Sequence, residues 1–168
     1  MIIAIAGGKG AGKSTLAHAL ADAWGDGAEV FGMDPYWIPR AHWQPSTRDD
    51  PGCLDAGRLW EDMQTRQRPA LLIIEGLLAL RYAFLRAVSR HLIWIDCSPE
   101  TRLYRRLWRD CVDYQLCPEA MLREHVEADR EFFWREVAPT REYATLILDG
   151  ERCRPEEAAA QVLKVIRN

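Results

Sequence analysis

Short apolar runs alternate with segments of helical periodicity along the chain. The apolar runs cover residues 1–6, 28–33, 70–74, 92–96 and 145–150. The segments with helical spacing cover residues 15–21, 56–66, 77–89, 99–110, 118–134 and 155–166. The run at 70–74 is continuously apolar, which is typical of a strand that is covered on both faces. Strands that alternate with helices predict a parallel sheet with right-handed crossovers, and a ligand site at the carboxyl ends of its strands.

The segment 35–57 breaks this alternation. It contains proline at positions 35, 39, 45 and 51, and it combines aromatic residues with Asp49, Asp50 and Asp55. A loop of this length in a compact domain is usually functional or disordered, and its aromatic content argues against disorder. We therefore interpret 35–57 as a functional loop. A second turn is predicted at 111–117, between two helices.

The first apolar run leads directly into a phosphate-binding motif. Residues 7–14 read GGKGAGKS, which fits the pattern G-x-x-x-x-G-K-[ST] between a strand and a helix. Glycines let successive backbone N–H groups point at an anion, and the following helix adds its positive dipole end. Lys13 is predicted to bind the outer phosphates, and the Ser14 hydroxyl to ligate Mg²⁺.

Composition limits the partners and the compartment. The chain has 168 residues, the size of one domain, and its net charge of −3 disfavours a nucleic-acid partner. The apolar run 70–80 is interrupted by Glu75 and is too short for a membrane span, and the opening strand lacks the charged leader of a signal peptide. Five cysteines without metal-binding spacing fit reduced thiols. We therefore expect one cytoplasmic domain, 1–168, with neither nucleic acid nor membrane as partner, as a monomer or a homodimer.

Three carboxylates, two at strand ends and one after the loop 35–57, are candidates for the site, and each also has a structural interpretation. Glu75 ends an apolar strand, where it is suited to hold Mg²⁺ through water or to cap neighbouring backbone. Asp34 ends the second strand, where it is suited to take a proton from an attacking hydroxyl or to form a turn before Pro35. Asp55 is suited to bind paired sugar hydroxyls or to N-cap the next helix.

Cationic and aromatic side chains offer a similar choice between function and structure. Four arginines share one face of the helix predicted at 99–110, namely Arg102, Arg105, Arg106 and Arg109. Their mutual repulsion needs an anion or acidic neighbours, so they are suited either to a lid that covers a triphosphate or to a solvated basic face balanced by Glu100 and Asp110, which is the more usual role of a charge run. The aromatic residues of the loop either stack on a flat base or fill core. They are Tyr36, Trp37 and Trp43.

The phosphate motif alone leaves several reaction classes open. GTPases read guanine with an N/T-K-x-D segment, and none of the lysines at 9, 13 and 164 belongs to one. The arginine stripe and the aromatic, acidic loop 35–57 favour a kinase over an ATP-driven switch, because a switch needs no acceptor pocket. A nucleoside monophosphate kinase would need cations for the acceptor phosphate, whereas 35–57 contains Arg40 and Arg48 against three Asp. A neutral acceptor is therefore favoured, and kinases of other small alcohols stay an alternative.

Taken together, these segments resemble the uridine kinase and nicotinamide riboside kinase branch of the phosphate-loop kinases. The resemblance rests on the loop at 7–15, MDPY at 33–36, CLD at 53–55, LIIEGLL at 72–78 and RLYRRLWRD at 102–110. The compact length and LDG at 148–150 are closer to nicotinamide riboside kinases. The chain departs from the uridine kinase pattern after Asp110 and at Pro35, beside the expected catalytic Asp.

The resemblance implies a fold, a reaction and a set of roles. The fold is the three-layer α/β/α P-loop NTPase fold, with a five-stranded parallel sheet, a helical lid at about 102–118 and an acceptor-binding loop at about 35–57. The donor is ATP with Mg²⁺, and the acceptor is the primary 5′ hydroxyl of a ribonucleoside such as uridine, cytidine or nicotinamide riboside. The expected catalytic residues are Asp34, Lys13, Arg106 and Arg109. The expected nucleotide-binding residues are Gly7, Gly8, Lys9, Gly10, Ala11, Gly12, Lys13, Ser14, Thr15 and Arg105. Asp34, Tyr36 and Asp55 are expected to bind the acceptor, and Ser14 and Glu75 the metal.

Overall fold

One five-stranded parallel sheet organises the protein, as the alternating pattern predicts. The computed structural model describes residues 1–47, 50–66 and 69–167. The strands are β1 (Ile2–Gly7), β2 (Ala28–Gly32), β3 (Leu71–Glu75), β4 (His91–Asp96) and β5 (Leu146–Asp149), in the order β2-β3-β1-β4-β5. Strand β1 is central and pairs with β3 and β4, so that Ile5 lies opposite both Glu75 and Ile93. The carboxyl ends of β1 and β3 therefore bring the phosphate loop and Glu75 to one edge.

Helices cover both faces of the sheet and complete the predicted three layers. They are α1 (Lys13–Trp24), α2 (Ala56–Thr65), α3 (Ala83–Val88), α4 (Pro99–Trp108), α5 (Pro118–Glu124), α6 (Arg130–Phe132) and α7 (Pro155–Ile166). Successive side chains of β1 point to opposite faces, because a strand has a period of two. Ile3 and Ile5 pack in one core, with α1 and α7. Ala4 and Ala6 belong to a second core on the other face, with α2 and α3.

The helix predicted at 77–89 is wrong over its first half. Only Ala83–Val88 is helical, and residues 77–82 form turns in which the N–H of Ala79 donates to the carbonyl of Gly76 and that of Arg81 to the carbonyl of Leu78. The side chains at 77–80 are all buried. A helix on the surface of the sheet needs a polar face toward solvent. The side chains at 77–80 are all apolar, so this segment packs into the core as a turn instead.

The helix predicted from Pro118 to about Trp134 is longer and less regular than expected. Helix α5 continues through a π-helical turn at His125–Asp129, α6 and a second π-helical turn at Phe133–Val137. A 3₁₀ segment, Ala138–Tyr143, then leads to β5. Helix α4 likewise ends in a π-helical turn, Arg109–Asp113, where the sequence predicts the end of a helix. Such turns insert one extra residue, and apolar periodicity does not reveal them.

The loop 35–57 folds back on itself at the edge next to β2. Short 3₁₀ turns at Asp34–Tyr36 and Arg40–His42 begin it, and an antiparallel bridge joins Trp37 to Leu54. Arg48 and Asp49, which the sequence places in this loop, lie outside the described residues. Across the described ranges, the helices are too short or too polar to cross a membrane.

Candidate active site

The phosphate loop takes its shape from glycines at the end of β1. Gly10 and Gly12 have φ angles of +81° and +97°, in the left-handed region that favours glycine. Helix α4 lies directly against the tip of the loop. A Cβ on Gly10 would overlap the backbone carbonyl of Arg102, and one on Gly8 would overlap the guanidinium of that arginine. The loop is therefore both curled and closely covered.

Lys13 begins α1 at the base of the loop. Its Nζ donates a hydrogen bond to the carbonyl of Gly8 over 3.1 Å. Burial lowers the pKa of Lys13 to about 8, while the charges of Glu75 and Asp34 partly oppose the shift. Arg102 and Arg109 lower this pKa further. The ammonium thus lies within the electrostatic reach of the carboxylates and arginines predicted for the site, as a phosphate-binding lysine requires.

Ser14 and Glu75 form an oxygen pair beside this lysine. The Ser14 hydroxyl donates to Oε1 of Glu75 over 3.1 Å, and the Glu75 carboxylate is buried at the end of β3. Burial raises the pKa of Glu75, and the charge of Lys13 and the hydrogen bond from Ser14 oppose it. A hydroxyl and a carboxylate are the hard oxygen ligands that Mg²⁺ prefers, so this donor set fits that ion. The described residues contain no cluster of three or more His, Cys, Asp or Glu suited to a metal.

Asp34 lies on the acceptor side of this group. It follows β2 and begins a 3₁₀ turn with Pro35, so the turn that the sequence offers as an alternative is present. Its side chain is exposed, and its charge acts on both Lys13 and Glu75. Forming a turn and presenting a carboxylate to a ligand are compatible, because the turn uses backbone atoms. Its role as a base stays a prediction.

The structure gives Tyr36 and Asp55 structural contacts. Tyr36 is buried, stacks on Phe31 with ring centroids 5.6 Å apart, and donates its hydroxyl proton to Asp62 over 2.7 Å. Asp55 caps α2 by accepting the N–H of Arg58 over 3.0 Å. Asp55 is exposed, and its N–H donates to the carbonyl of Tyr36, two residues after Asp34, whereas the Tyr36 ring is committed to core. Acceptor binding by either residue stays a prediction.

The loop tryptophans fill core rather than standing open for a base. Trp37 and Trp43 stack with centroids 5.9 Å apart, and both contact Phe132 from the helical segment that follows α5. The indole N–H of Trp43 donates to the carbonyl of Ile38. Of the two interpretations that the sequence allows, the structure therefore favours packing for this pair.

The four arginines of α4 and its end differ in burial. Arg102 and Arg106 are buried, Arg105 is half-buried and Arg109 is exposed. Arg109 pairs with Asp110 over 2.7 Å, and Arg106 pairs with Asp129 over the same distance. The solvated basic face offered as an alternative therefore describes only Arg109. Phosphate binding by the arginines predicted for it, Arg105, Arg106 and Arg109, stays a prediction.

The sequence places Arg102 first in the arginine stripe but gives it no individual role. Its guanidinium lies on Gly8, donates to the carbonyl of Cys97 over 3.2 Å and stacks 4.0 Å above the ring centroid of Phe133. In the described part of the chain, no carboxylate lies within ion-pair distance of it. A buried cation without an anion is costly, so this geometry is suited to bind one.

Two cavities adjoin the phosphate loop. One of about 240 Å³ lies beside Ala11, Thr15 and Gly150, where Arg105 donates to the carbonyl of Gly150 over 2.9 Å. The other, of about 390 Å³, lies between α4 and the segment 125–134 and extends to Lys9. The first adjoins the start of α1 and the second lies beside the loop tip.

Comparisons with known proteins agree with this arrangement. Residues 40–155 match the family model described as PRK: Phosphoribulokinase / Uridine kinase family. A uridine kinase from Chlamydia pneumoniae is 25% identical over 181 aligned positions, which cover 89% of this chain and 82% of that protein. A uridine kinase from Geobacillus kaustophilus (strain HTA426) is 26% identical over 179 positions, covering 88% and 85%.

Solved structures show the same fold. Shikimate kinase from Acinetobacter baumannii, in complex with shikimate, has a TM-score of 0.62 at 18% identity, covering 99% of this chain and 92% of that one. A putative fructose transport system kinase from Silicibacter sp. TM1040 has a TM-score of 0.62 at 22% identity, covering 88% and 89%. With the matched family and these kinase neighbours, the protein is an ATP-dependent phosphotransferase that acts on an alcohol group. Because the family model matches more than half of its residues, the chain belongs to the Phosphoribulokinase / Uridine kinase family.

Proposed function

We propose that the protein transfers the γ-phosphoryl group of ATP to the 5′ hydroxyl of a ribonucleoside. One observation carries the proposal: the N–H of Met33 donates to the carbonyl of Glu75 over 2.9 Å, so that the exposed Asp34 follows directly beside the end of β3, and its charge acts on both Lys13 and Glu75. A carboxylate near the phosphate-binding lysine has a use in a kinase, because the acceptor hydroxyl must lose a proton there. An ATP-driven switch has no such requirement.

The donor nucleotide is expected to lie along the loop 7–15. The cavity of about 240 Å³ beside Thr15 and Gly150 accommodates its base. The backbone N–H groups of the curled loop and the start of α1 bind its phosphates. Positive charge at the outer phosphates comes from Lys13, Arg102 and Arg106. Arg109, which is exposed at the end of α4, adds a further cation when the lid closes. Residues from about 102 to 118 act as the lid of a single domain.

Ser14 and Glu75 would hold Mg²⁺ through their oxygens. When bound, the ion supplies positive charge that neutralises the triphosphate. The remaining steps use the side chains of this chain.

Asp34 acts as the general base. Its carboxylate accepts the proton of the acceptor hydroxyl as that oxygen forms a bond to the γ-phosphorus, and the bond from this phosphorus to the β–γ bridging oxygen breaks. The products are the phosphorylated acceptor and ADP. Lys13 and the buried arginines stabilise the negative charge on the transferring group, in a site from which the lid excludes water.

The acceptor is proposed to be a nucleoside such as uridine, cytidine or nicotinamide riboside. The names of the curated relatives support uridine, and Asp55 stands exposed near Asp34, where it is suited to bind ribose hydroxyls. Tyr36 supports this side of the site by packing under it. The five free thiols among the described residues suit a reducing compartment such as the cytoplasm.

The test is the replacement Asp34→Asn. We expect nearly unchanged ATP binding and a fall in kcat of about 10²-fold or more, as loss of a general base predicts. The protein is incubated with labelled ATP and uridine, cytidine, nicotinamide riboside or adenosine, and phosphorylated products are separated. Asp22→Asn, on the exposed side of α1, is the matched control and should retain full activity.

Two outcomes would contradict the proposal. Hydrolysis of ATP without any phosphorylated nucleoside would support a switch or another acceptor class. Near-wild-type turnover by Asp34→Asn would remove this residue from the mechanism.

A further inference from the structure

A buried carboxylate joins the phosphate loop to helix α4. Lys9 Nζ donates to Oδ1 of Asp129 over 2.7 Å, and Arg106 Nη1 donates to Oδ2 of the same residue over 2.7 Å. Asp129 belongs to the π-helical turn after α5, so the three side chains come from three separate elements. The side chains of Asp129 and Arg106 are only 12% and 8% exposed. The Arg106–Asp129 part of the bridge is therefore shielded from solvent, unlike a surface ion pair, whereas the Lys9 side chain is 40% exposed.

Two cations meet one carboxylate in this bridge, and Arg106 also has the buried Asp110 3.7 Å away. Burial alone would raise the pKa of Asp129, but the hydrogen bonds and charges of Lys9 and Arg106 outweigh it and hold that pKa below its usual range. His125 lines the same cavity, and its Nδ1 is buried without a hydrogen-bond partner in the described residues. Burial and the charge of Arg106 lower the pKa of His125 and favour its neutral form. Two cations thus share one carboxylate, with Arg102 on the same side of the cavity.

Both cations keep donors for a further anion. An ammonium has three N–H donors and a guanidinium has five, and each gives one short hydrogen bond to Asp129. Arg106 gives a longer contact of 3.7 Å to Asp110. A phosphate oxygen can therefore be bound by Lys9 and Arg106 while both stay paired with Asp129.

Among the described residues, the Lys9 side chain hydrogen-bonds to Asp129 and to no other side chain. Lys9 stands between Gly8 and Gly10, and its side chain is 40% exposed. A free lysine side chain loses rotamer freedom when it binds, and the bridge imposes that order before the nucleotide arrives. The bridge also sets the distance between the loop and α4.

We propose that Asp129 is a positioning residue for phosphoryl transfer, which holds Lys9 and Arg106 as a pair of cations directed at the transferring group. The proposal rests on the function proposed above. It adds to the site a carboxylate from the segment 125–129, a segment to which the sequence assigns no role. Neutralising Asp129 releases Lys9 and leaves two cations that repel each other at the mouth of the site.

The experiment compares Asp129→Asn and Asp129→Glu with Glu127→Gln. Glu127 is an exposed residue of the same turn, so the control removes the same charge without touching the bridge. We expect Asp129→Asn to lower kcat by roughly 10- to 100-fold, as misplaced groups do, with KM for ATP changed less than about threefold. Asp129→Glu should recover part of kcat, and Glu127→Gln should match the wild type.

A double-mutant cycle tests whether Asp129 acts through Lys9. If it does, Lys9→Met combined with Asp129→Asn loses little more kcat than Lys9→Met alone, whereas independent roles give multiplied losses. Tighter ATP binding with unchanged or higher kcat in Asp129→Asn would overturn the proposal, because Asp129 would then only compete with phosphate. A lower melting temperature with unchanged kcat would reduce it to a structural residue.

Hydrolysis of ATP without acceptor separates this proposal from the proposed function. The same variants are assayed in single turnovers for release of phosphate, and ATP binding is measured by calorimetry. If the wild type phosphorylates no nucleoside, the proposed acceptor is wrong, and a selective loss of hydrolysis in Asp129→Asn still supports the positioning role. Equal hydrolysis rates in Asp129→Asn and the wild type would overturn it.

Discussion

The phosphate loop and the loop 35–57 lie at the same edge of the sheet, but different forces shape them. In the phosphate loop, the conformation is local: glycines at positions 10 and 12 adopt left-handed φ angles and α1 starts at once. The loop 35–57 is held by residues far along the chain. Glu136 accepts hydrogen bonds from Ser46 over 3.1 Å and from Arg81 over 3.2 Å, and Phe132 packs on the loop tryptophans.

The difference has a functional consequence. A loop that is shaped by its own glycines binds phosphate in the same way in many proteins, whereas a loop that depends on distant partners changes shape whenever those partners change. With 35–57 as the proposed acceptor loop, the donor side of this enzyme is general and its acceptor side is specific. Substitutions in the phosphate loop are therefore expected to have the largest effect, those at its contact with α4 an intermediate one, and those in the long-range support of 35–57 the smallest.

The largest effect is expected for Gly10→Ala. Alanine is strained at a φ of +81°, and its Cβ would overlap the backbone carbonyl of Arg102, which cannot move without shifting α4. We expect kcat/KM for ATP to fall by about 10²-fold or more, because the amides and the lid lose their alignment. Steady-state kinetics with varied ATP measure the effect.

Gly57→Ala is the matched control for the glycine substitution. A Cβ on Gly57 would meet only Oδ1 of Asp55, at an ordinary 3.7 Å, on the exposed helix α2. This change should stabilise the protein by about 0.5–1 kcal/mol, through helix propensity, without altering kinetics. Full activity in Gly10→Ala would show that the loop tip tolerates a side chain and that α4 is not fixed against it.

Substitutions of the two buried arginines are expected to have intermediate effects on activity. Their effects on the melting temperature of the ligand-free protein should differ. Arg102→Met removes a buried cation that lacks a carboxylate partner, so the ligand-free melting temperature should stay unchanged or rise while KM for ATP increases roughly tenfold. Arg106→Met leaves Asp110 and Asp129 without their shared cation. It should cost about 3 kcal/mol, which corresponds to about 6–12 °C in melting temperature, besides lowering kcat.

Thermal unfolding with and without ATP measures both variants. The ATP-induced rise in melting temperature should shrink strongly in Arg102→Met, because that residue is proposed to bind the nucleotide. Strong destabilisation of the ligand-free protein by Arg102→Met would mean that this arginine is mainly a structural residue. Its stacking on Phe133 would then be the dominant contact.

Much of the fold was predictable because its signals are local. Apolar runs identify all five strands, and the motif at 7–14 identifies the nucleotide side. The cap at Asp55 and the helix start at Ser98 and Pro99 also follow from neighbouring residues. The segment 77–82 was wrongly predicted as helix. Its apolar residues lead into the helix Ala83–Val88, so the sequence does not show where the buried turn ends and the helix begins.

The remaining parts of the site depend on pairs that are distant in sequence. Lys9 and Asp129 are 120 residues apart, and Arg81 and Glu136 are 55 apart. Neither pair has a periodic signature, and charged residues on helices are usually solvated. The sequence shows a stripe of arginines, but only the packing of α4 on the loop tip shows that Arg102 faces Gly8.

The smallest effect is expected for Glu136→Gln, which weakens the support of 35–57. Burial would raise the pKa of Glu136, but hydrogen bonds from Arg135, Ser46 and Arg81 outweigh it and hold the pKa below its usual value. The unfolded chain therefore takes up the proton at higher pH than the folded one. The stabilisation is complete above the unfolded pKa and disappears as the pH falls through the folded pKa.

We expect Glu136→Gln to cost about 2 kcal/mol at pH 7, the usual effect of disrupting charged hydrogen bonds in a buried position. Because the amide does not titrate, the variant should lose less stability than the wild type between about pH 5 and pH 3. Denaturant unfolding across that range measures both effects.

Glu131→Gln is the control, since Glu131 also pairs with Arg135 at 2.9 Å but is 74% exposed. A surface pair of this kind should contribute less than about 1 kcal/mol. Equal losses in the two variants would mean that burial of Glu136 adds nothing, and that the loop 35–57 is held by contacts other than those of Glu136.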